Sequence, residues 1–444
     1  MDFGFSFVLD LICVYLCLSV VFDSTGLEGK GVFMFKKGIV ILFIVFAFSS
    51  LASAKTEIIF WHTAGYEEIT LVNKLVDMFN QTHPQIKVIP KYIGPSYIQN
   101  YKFLVGIEAK STPDILLAER KGISQIIDTD RVLPLDEFIE KELDKDDLYP
   151  LFWEGLKDKG NTWGVPLYIY SKALIYNQEL FKEGGLKEFP QSWEELLRAA
   201  QRLTKDLNSD GKTDQYGLEI NPLESFLNLL FSRGGELFSK DLSEAKFNSS
   251  QGVESLQFLV NLINKYKVSP GELHWSAPKF EKKEVGMKFA SLSDILSLKE
   301  KGVKVGLIPS SAGLFSLVDY DCALIFRTTP EKERSAWEFI KWFVDKDLYS
   351  LVCQEANFLP LRKSIGKTLG YQEYLKKHPE MEVFISNLDY AYTLPLIPEG
   401  EEIYSCLEKA VNLAIYEGEK PEVVLEQAAK EINRRLKKSI VHGQ

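Results

Sequence analysis

The residues whose spacing is most typical of a chemical site lie in one loop near the middle of the chain. Oxygen-bearing side chains recur there at alternate positions around a glycine, Gly211. This is the spacing of the first nine positions of a calcium loop, in which position 7 offers its backbone carbonyl. The residues that would face the cation are Asp206, Asn208, Asp210, Lys212 and Asp214.

The loop departs from the calcium pattern at its end. Gly217 stands at position 12, where a calcium loop has a bidentate Glu, and Gln215 or Glu219 could take over that role. The alternative is a surface turn rich in Asp, Asn and Gly. We therefore expect a possible structural Ca²⁺ site, tested by titrating Ca²⁺ into protein stripped with a chelator.

Motifs of catalysis and cofactor binding are missing from the sequence. The five histidines form no pair at metal-ligand spacing, and no HExxH, GxSxG, Walker or GxGxxG pattern occurs. The carboxylate pairs lie mostly on polar helix faces, which is typical of a solvated acidic surface. We expect no enzyme and no required cofactor.

Residues 34–54 have the three parts of a secretory signal peptide. Lys36 and Lys37 precede an apolar stretch at 39–48, and small residues follow up to Ala54. Cleavage after Ala54 would leave Lys55 as the first residue of a mature chain, 55–444. The sequence therefore predicts a periplasmic or extracellular protein.

Residues 1–33 have two interpretations. Positions 3–22 form an apolar run of nearly membrane-spanning length, but Asp10 lies within it and no Lys or Arg precedes it. They are either a membrane segment or the product of a misassigned start. We favour Met34 as the true start, because codons for residues 30–32 could form a ribosome-binding sequence.

Composition limits the class of protein further. The chain of 444 residues carries a net charge of −10, and residues 55–444 are too many for one ordinary core. An acidic surface argues against nucleic acid as a partner, because phosphate binding needs clustered Lys and Arg.

Cys322, Cys353 and Cys406 are widely spaced, and we expect buried thiols rather than a disulfide plus one thiol.

Hydrophobic patterns predict an α/β fold. Apolar runs at 57–61, 86–89, 114–118, 303–308 and 322–326 are typical of buried strands. Helical spacing covers 69–79 and 253–263, a capping box starts a helix at Ser192 with Glu195, and the last helix begins near Pro421. The order of strands and helices favours a mostly parallel sheet covered on both faces.

Short segments along the mature chain match those of a known family, in the same order. They are FWH at 60–62, TPD at 112–114, GVPL at 164–167, LIYN at 174–177, FKEGG at 181–185, PQSWEE at 190–195, DGKTDQYG at 210–217, EVGM at 284–287, GLIP at 306–309, AWEFI at 336–340, LPLRK at 359–363 and AAKEIN at 428–433. With these segments the chain resembles the family 1 extracellular solute-binding proteins of ABC importers. That group contains the maltose-binding and glycerol-phosphate-binding proteins.

The resemblance implies a two-lobed periplasmic-binding-protein fold (type II) with three hinge crossings and a ligand cleft between the lobes. The crossings would fall near 167–170, 305–308 and 374–375. The N-terminal lobe would be 55–168 plus 307–374, and the C-terminal lobe 170–305 plus 376–444. It implies a monomeric receptor that closes on a small carbohydrate and delivers it to the permease subunits of an ABC transporter.

A sugar needs aromatic faces for its C–H surfaces and polar groups for its hydroxyls. Strand-end positions and the resemblance together nominate twelve ligand-binding residues. They are His62, Tyr66, Glu119, Arg120, Tyr168, Tyr170, Asn221, Ser291, Asp294, Tyr320, Asp321 and Tyr404.

Several of these candidates could instead serve the fold. Tyr170 stands where the maltose-binding relative has a Glu, and Tyr404 aligns with a sugar-stacking Trp of that relative. The tyrosines near a hinge could be ordinary packing, and His62 a structural histidine. Asp294 and Asp321 could simply cap turns.

Three other functions stay open at this point. A receptor for glycerol 3-phosphate or another polyol phosphate would need an Arg cluster, which the sequence does not offer. A secreted carbohydrate-active enzyme would need an acid and a base together in the cleft, and Glu119 with Asp294 is the pair we could nominate. A cell-surface adhesion or scaffold protein would require residues 3–22 to be retained as an anchor.

Overall fold

The computed structural model describes residues 55–94, 112–270, 280–308, 316–397 and 400–442, without the side chains of residues 66, 67, 308 and 438–442. The signal peptide and residues 1–33 lie outside this part, so the predictions made for them stay predictions. The chain from Thr56 onward forms one compact unit. Among the described residues, no helix has the length and apolar character needed to cross a membrane.

The described residues alternate between strands and helices in the manner of an α/β protein. The strands are β1 (Thr56–His62), β2 (Ile86–Tyr92), β3 (Ile115–Glu119), β4 (Lys157–Asp158), β5 (Asn161–Thr162), β6 (Val165–Asn177), β7 (Tyr216–Leu218), β8 (Val285–Ser291), β9 (Val305–Ile308), β10 (Ser316–Ile325) and β11 (Ala391–Tyr392). The helices are α1 (Tyr66–Thr82), α2 (Ile123–Ile127), α3 (Asp136–Glu142), α4 (Pro150–Glu154), α5 (Gln178–Glu183), α6 (Trp193–Leu203), α7 (Pro222–Ser232), α8 (Ser250–Asn264), α9 (Leu292–Glu300), α10 (Pro330–Phe343), α11 (Lys346–Ala356), α12 (Leu369–Lys377), α13 (Glu380–Asn387), α14 (Gly400–Tyr416) and α15 (Pro421–His442). The five predicted strands and the predicted helices are confirmed, with ends shifted by a few residues.

One sheet runs through the molecule in the order β2-β1-β3-β10-β6-β8-β7, with β11 beside β10 and β9 beside β6. Strands β2, β1 and β3 are parallel to one another, as are β7 and β8. The pairings of β3 with β10, of β10 with β6, and of β6 with β8 and β9 are antiparallel. The prediction of a mostly parallel sheet is therefore wrong at the centre, where β10 runs antiparallel to β3 and β6, and β6 runs antiparallel to β8 and β9.

Strand β6 joins the two halves of the sheet. Its first half, from Val165 to Ser171, pairs with β10, and its second half, from Lys172 to Asn177, pairs with β8 and β9. Such a strand ties the two halves together without a separate linker. The lobe boundaries predicted from the resemblance fall along this strand, and they stay a prediction.

Two hydrophobic cores flank the sheet. The first packs α1, α10 and α11 against β1, β3 and β10, and it extends to α9 and α13 beside β8 and β9. The second packs α6, α7, α8, α14 and α15 together with residues of β7 and β8. Helix α13 contacts β6 and β9, and Glu380 at its start pairs with Lys299 of α9 at 2.7 Å.

Local sequence explains how β1 and α1 are positioned. Ile58, Phe60 and His62 alternate with more exposed residues, so one face of β1 is buried in the first core. Helix α1 then starts at Gly65, whose backbone N–H donates to the Glu68 carboxylate three residues ahead. The end of β1 and the first turn of α1 are thereby held close together.

Asp114 ties the start of β3 to its surroundings. Its Oδ2 accepts a hydrogen bond from the backbone N–H of Ile59 at 2.7 Å, and both carboxylate oxygens lie 3.1 Å from Nζ of Lys332 in α10. The side chain is buried, so these partners compensate its lost hydration. The TPD segment is thus a structural joint between β1, β3 and α10.

The predicted capping box is confirmed, with one difference. Ser192 Oγ accepts from the backbone N–H of Glu195 at 3.3 Å, but the Glu195 carboxylate accepts from the N–H of Gln191, one residue before the cap.

Two of the three predicted buried thiols, Cys322 and Cys353, are buried, and within the described residues the three cysteines are free.

The close contact of α6 with β7 gives a prediction about stability. A Cβ added to Gly217 would lie 2.0 Å from the backbone oxygen of Ala200, so Gly217→Ala must push the helix off the strand. We expect a loss of about 1–3 kcal/mol in the free energy of unfolding, measured by urea denaturation. Gly366→Ala is the control, because a Cβ there meets no heavy atom within 4 Å. Equal stability of the two variants would contradict this role of the contact.

Candidate functional site

A cavity of about 330 Å³ lies at the middle of β6, beside the first turns of α1 and α9. We call it the β6 cavity. Its walls combine aromatic rings, hydroxyl groups, carboxylates, an amide and aliphatic side chains. The lining residues are Glu68 and Leu71 of α1, Tyr170, Ser171 and Lys172 of β6, Ser291, Leu292 and Ser293 around the start of α9, the segment 355–359, and Phe384 of α13.

Tyr170 is the predicted aromatic residue that lines the cavity. It is 39% exposed on β6, which is a large fraction for a ring at the centre of a sheet. Tyr168 lies two residues earlier on the same strand face, but it is buried and stacks on Phe358 with ring centroids 4.7 Å apart. Phe358 itself lines the cavity, so Tyr168 supports the wall from behind.

Hydroxyl and ammonium groups fix the middle of β6. Ser316 Oγ donates to the backbone carbonyl of Lys172 at 2.7 Å and lies 2.9 Å from Oγ of Ser171. Lys172 Nζ is 2.9 Å from the carboxylate of Glu224, which is buried in α7. The polar groups of the β6 wall are therefore already oriented by partners in both halves of the sheet.

Four carboxylates of α1, β3 and β10 lie close enough to influence one another, and we call them the acidic cluster. In the register of the sheet, Asp321 of β10 lies opposite Glu119 of β3, and Asp319 lies opposite Tyr170 of β6. The fourth member is Glu68 of α1, which lines the cavity. The cluster therefore consists of Glu68, Glu119, Asp319 and Asp321.

Arg120 is a buried partner of this cluster. It is 1% exposed, and its Nε lies 3.3 Å from Oδ1 of Asp319 while Nη1 donates to the carbonyl of Leu394 at 2.6 Å. Lys121 Nζ lies 3.4 Å from the other oxygen of Asp319. The guanidinium of Arg120 is engaged within the protein, although its Nη2 has no hydrogen-bond partner among the described residues.

Asp321 is in a different position from Asp319. Asp321 as a residue is 9% exposed, and the described charged groups that act on it include no cation. Burial raises its pKa well above the usual value, and the nearby carboxylates Glu119, Glu68 and Asp319 raise it further. Burial and these like charges therefore disfavour the charged form of Asp321 in the folded state.

His62 ends β1 and is almost completely buried. Its ring lies 5.6 Å from that of Phe60 and 5.8 Å from that of Tyr92, and burial lowers its pKa to about 4. The imidazole is therefore neutral at pH 7. Tyr66 is the first residue of α1, and its side chain is outside the described part.

Three of the candidates are helix caps. Asn221 Oδ1 accepts from the N–H of Glu224 at 3.2 Å and starts α7. Ser291 and Asp294 form a reciprocal capping box at the start of α9, with Asp294 N–H donating to Ser291 Oγ at 3.2 Å and Asp294 Oδ2 accepting from Ser291 N–H at 3.0 Å. Ser291 also lines the cavity, whereas Asp294 only caps the helix, the structural role that its sequence position also allowed.

Tyr320 and Tyr404 point their hydroxyls into the protein. Tyr320 donates to the carbonyl of Phe152 at 2.7 Å, and Tyr404 donates to that of Pro395 at 3.0 Å. Both side chains are buried, and the Arg120 guanidinium lies 5.4 Å from the ring centroid of Tyr320. In this structure they pack around Arg120 and do not line the β6 cavity.

The predicted calcium loop is organised by its own backbone. Asp206 accepts from the N–H groups of Asp210 and Gly211, Asn208 from that of Asp210, Asp210 from that of Lys212, and Asp214 from those of Leu207 and Asn208. The described residues contain no group of three or more His, Cys, Asp or Glu arranged to hold a metal ion. These hydrogen bonds are those of a polar turn, and Ca²⁺ binding stays a prediction.

The sequence did not nominate several residues of the β6 cavity. They are Glu68, Leu71, Ser171, Lys172, Leu292, Ser293, Phe384 and the segment 355–359. A local sequence pattern marks the position of Glu68, because an acid three residues after Gly65 is typical of the first turn of a helix. No local sequence pattern marks Phe384 or the segment 355–359, since they reach the cavity only through tertiary packing.

The buried pair of Arg120 and Asp319 gives a second prediction. Arg120→Leu leaves Asp319 with the exposed Lys121 as its one charged partner among the described residues, beside the backbone N–H of Tyr320 at 3.0 Å, and we expect a loss of about 3–5 kcal/mol in the free energy of unfolding. Adding Asp319→Asn to this variant removes the uncompensated charge and should restore most of the loss. Urea denaturation of the two variants and the parent measures both effects. A double variant no more stable than the single one would contradict this role.

Asp321 gives a prediction about pH. Because its pKa in the folded state is raised, the folded state holds the proton more tightly than the unfolded state, whose Asp has a pKa of about 3.9. The free energy of unfolding therefore falls as the pH rises above about 4 towards the raised pKa. We expect Asp321→Asn to be more stable than the parent at pH 7 and equally stable near pH 4. Urea denaturation across this range checks it, and a difference independent of pH would contradict it.

Comparison with known proteins identifies the family. A putative binding protein of Brucella abortus is 25% identical over 353 residues, covering 76% of this chain and 83% of that protein. The sn-glycerol-3-phosphate-binding periplasmic protein UgpB of Yersinia enterocolitica is 23% identical over 360 residues, covering 77% and 82%. The crystal structure of cyclic alpha-maltosyl-1,6-maltose binding protein from Arthrobacter globiformis has the same fold, with a TM-score of 0.76 at 21% identity, covering 87% of this chain and 100% of that one. Residues 63–348, more than half of the chain, match the family of bacterial extracellular solute-binding proteins, and the chain belongs to this family.

Proposed function

We propose that this protein is an extracytoplasmic receptor for a sugar or oligosaccharide, which it delivers to the permease of an ABC transporter. The observation that supports it most is the composition of the β6 cavity. Tyr170 presents an accessible ring there, beside the hydroxyls of Ser171, Ser291 and Ser293 and the carboxylate of Glu68. A ring of this kind covers the C–H face of a sugar, and the polar groups satisfy its hydroxyls.

The position of the cavity supports uptake by hinge closure. Its walls come from α1 in one half of the sheet and from β8 and α9 in the other, and β6 runs between them. Rotation of the halves about β6 would change the width of the cavity with little change inside either core. Rigid-body closure around a ligand is the motion known for periplasmic binding proteins.

Glycerol 3-phosphate is the second candidate ligand, since UgpB of Yersinia enterocolitica binds it according to its name. A phosphate dianion needs cations that are free to face it. Near the β6 cavity, Arg120 and Lys121 already pair with Asp319, and Lys172 pairs with Glu224. These pairings favour an uncharged sugar over a phosphate.

We propose no reaction for this cleft. The pair of acids that an enzyme would need was Glu119 and Asp294, and Asp294 is used in the capping box of α9. The chain belongs to a family of binding proteins, and the mixture of aromatic and polar walls supports reversible binding. We also propose a monomer that starts at Lys55 after removal of the signal peptide.

A ligand panel tests the proposal. The full chain is expressed with its own leader, and the exported product is purified and its first residue identified by intact mass, expected to be Lys55. Sugars, oligosaccharides, polyols and their phosphates are then added, and thermal unfolding is recorded. A ligand at about 100 times its dissociation constant stabilises the folded state by about 2.7 kcal/mol, which gives a clear shift in Tm.

The outcome is read in three ways. A saturable shift with a sugar, and recovery of that sugar unchanged after a long incubation, supports the receptor. A shift with glycerol 3-phosphate alone would replace the sugar by a polyol phosphate. Turnover of a glycoside, or no shift with any member of the panel, would overturn the proposal.

A further inference from the structure

Strands β6 and β10 both change partners at the same level of the sheet. Ser171 is the last residue of β6 that pairs with β10, and Lys172 is the first that pairs with β8. The first two residues of β10, Ser316 and Leu317, pair with β11, and the pairing of β10 with β6 starts one residue later. The two halves of the sheet therefore meet where the backbone ladder between β6 and β10 ends.

Two serine hydroxyls bridge the strands beyond the end of this ladder, and we call them the serine clasp. Ser316 Oγ donates to the backbone carbonyl of Lys172 at 2.7 Å, and Ser171 Oγ donates to that of Leu317 at 3.0 Å. Each serine thus bonds to the residue that follows the other serine in the chain. Ser171 is 7% exposed and Ser316 is 3% exposed, so water competes little for these hydrogen bonds.

The serine clasp contains more short contacts than it has hydrogens. The two Oγ atoms lie 2.9 Å apart, and Ser171 Oγ is also 3.4 Å from the carbonyl oxygen of Lys172. Each hydroxyl has one hydrogen to donate, and it can rotate that hydrogen towards different acceptors. Two hydrogens therefore serve four contacts, and the pair can exchange acceptors while both hydroxyls stay hydrogen-bonded.

The two serines lie on strand faces that are otherwise apolar near them. Ile169 and Ala173 lie on the same face of β6 as Ser171, and both belong to the first core. Val318, also in that core, is the next residue after Ser316 on its face of β10. The hydroxyls interrupt this apolar packing at the level where both strands change partners.

We propose that the serine clasp is the pivot on which the two halves rotate, and that it holds them at the angle seen in this structure. The inference rests on the hinge motion of the proposed function, and it does not depend on which sugar binds. Hinges are a few residues at the ends of elements that absorb a change of backbone angles. Rotation at the clasp breaks no ladder bond between β6 and β10, and the two hydroxyls follow it by exchanging acceptors. Ser171 also lines the β6 cavity, so a change of angle at the clasp alters the width of the cavity.

Distances between the halves test the inference without any ligand. Spin labels are attached to the exported protein at Glu140→Cys in α3 and at Glu254→Cys in α8, which are exposed positions on helices of the first and the second core. Cys406→Ser removes the half-buried thiol, and Cys322 and Cys353 are buried. Pulsed electron paramagnetic resonance then gives the distribution of distances between the two labels.

Variants of the clasp locate the effect. Ser171→Ala and Ser316→Ala each remove one hydroxyl and one hydrogen bond that crosses between the strands. In each variant we expect the population at shifted distances to rise about fivefold relative to the main one, the factor that a hydrogen bond of ordinary strength implies. Ser386→Ala is the control, because it removes an exposed hydroxyl of α13 that donates to the carbonyl of Val383 at 2.9 Å, and the distribution should not change.

A shift in both clasp variants and none in Ser386→Ala supports the pivot, whichever solute the ligand panel identifies. Clasp variants with a lower Tm but the distance distribution of the parent would show a structural role only, and would overturn the inference while leaving the sugar receptor intact.

A measurement on the intact clasp decides the matter even if both variants fail to fold. The label pair across the halves is compared with a pair inside the first half, Glu140→Cys with Gln81→Cys in α1. We expect the pair across the halves to give the wider distribution of distances. Equal widths would show halves that do not rotate, and would overturn the inference whatever the ligand panel shows.

Discussion

The shared strand β6 is the constraint on which the rest of the structure depends. Its first half pairs with β10 and its second half with β8 and β9, so one segment of thirteen residues belongs to both halves of the sheet. Both cores are built against this continuous ladder. Residues at its middle, such as Tyr170 and Lys172, are held by backbone hydrogen bonds yet lie at the boundary between the halves. A cavity at that boundary gains precise walls and can still change its width.

Two neighbouring acids of β10 differ in how their charges are compensated. Asp319 is buried with Arg120 and supported by Lys121, so its charge is part of the joint between β3, β10 and the segment containing Leu394. Asp321 lies two residues further along the same strand and has no such support among the described residues. Burial and the neighbouring carboxylates therefore disfavour the charged form of Asp321, whereas the charge of Asp319 is compensated by its partners.

Local features of the fold could be predicted from the sequence, and tertiary ones could not. The strand β1 and the cap of α6 at Ser192 follow from alternation and from side-chain hydrogen bonds within a few residues, which a sequence states directly. The direction of β10 cannot be predicted in this way, because its antiparallel pairing with β3 joins two segments that are far apart in the sequence. Tyr404 was nominated by its aligned position, but the direction of its hydroxyl depends on Pro395 and the surrounding packing. Phe384 reaches the cavity from a helix distant in sequence, so no local pattern marks it.

The polar lining of the β6 cavity also bears on how binding would be coupled to closure. On the proposed hinge motion, narrowing the cavity removes water from the Glu68 carboxylate and from the hydroxyls of Ser291 and Ser293, which line it, and this loss of hydration disfavours closure of the empty protein. A ligand whose hydroxyl groups form hydrogen bonds with these groups removes this cost in the closed state, where they are least hydrated. Such a ligand has a higher affinity for the closed form than for the open one, and only such a difference can shift the equilibrium between the two forms. Desolvation of the polar lining would thus keep the empty receptor open and make closure conditional on the correct solute.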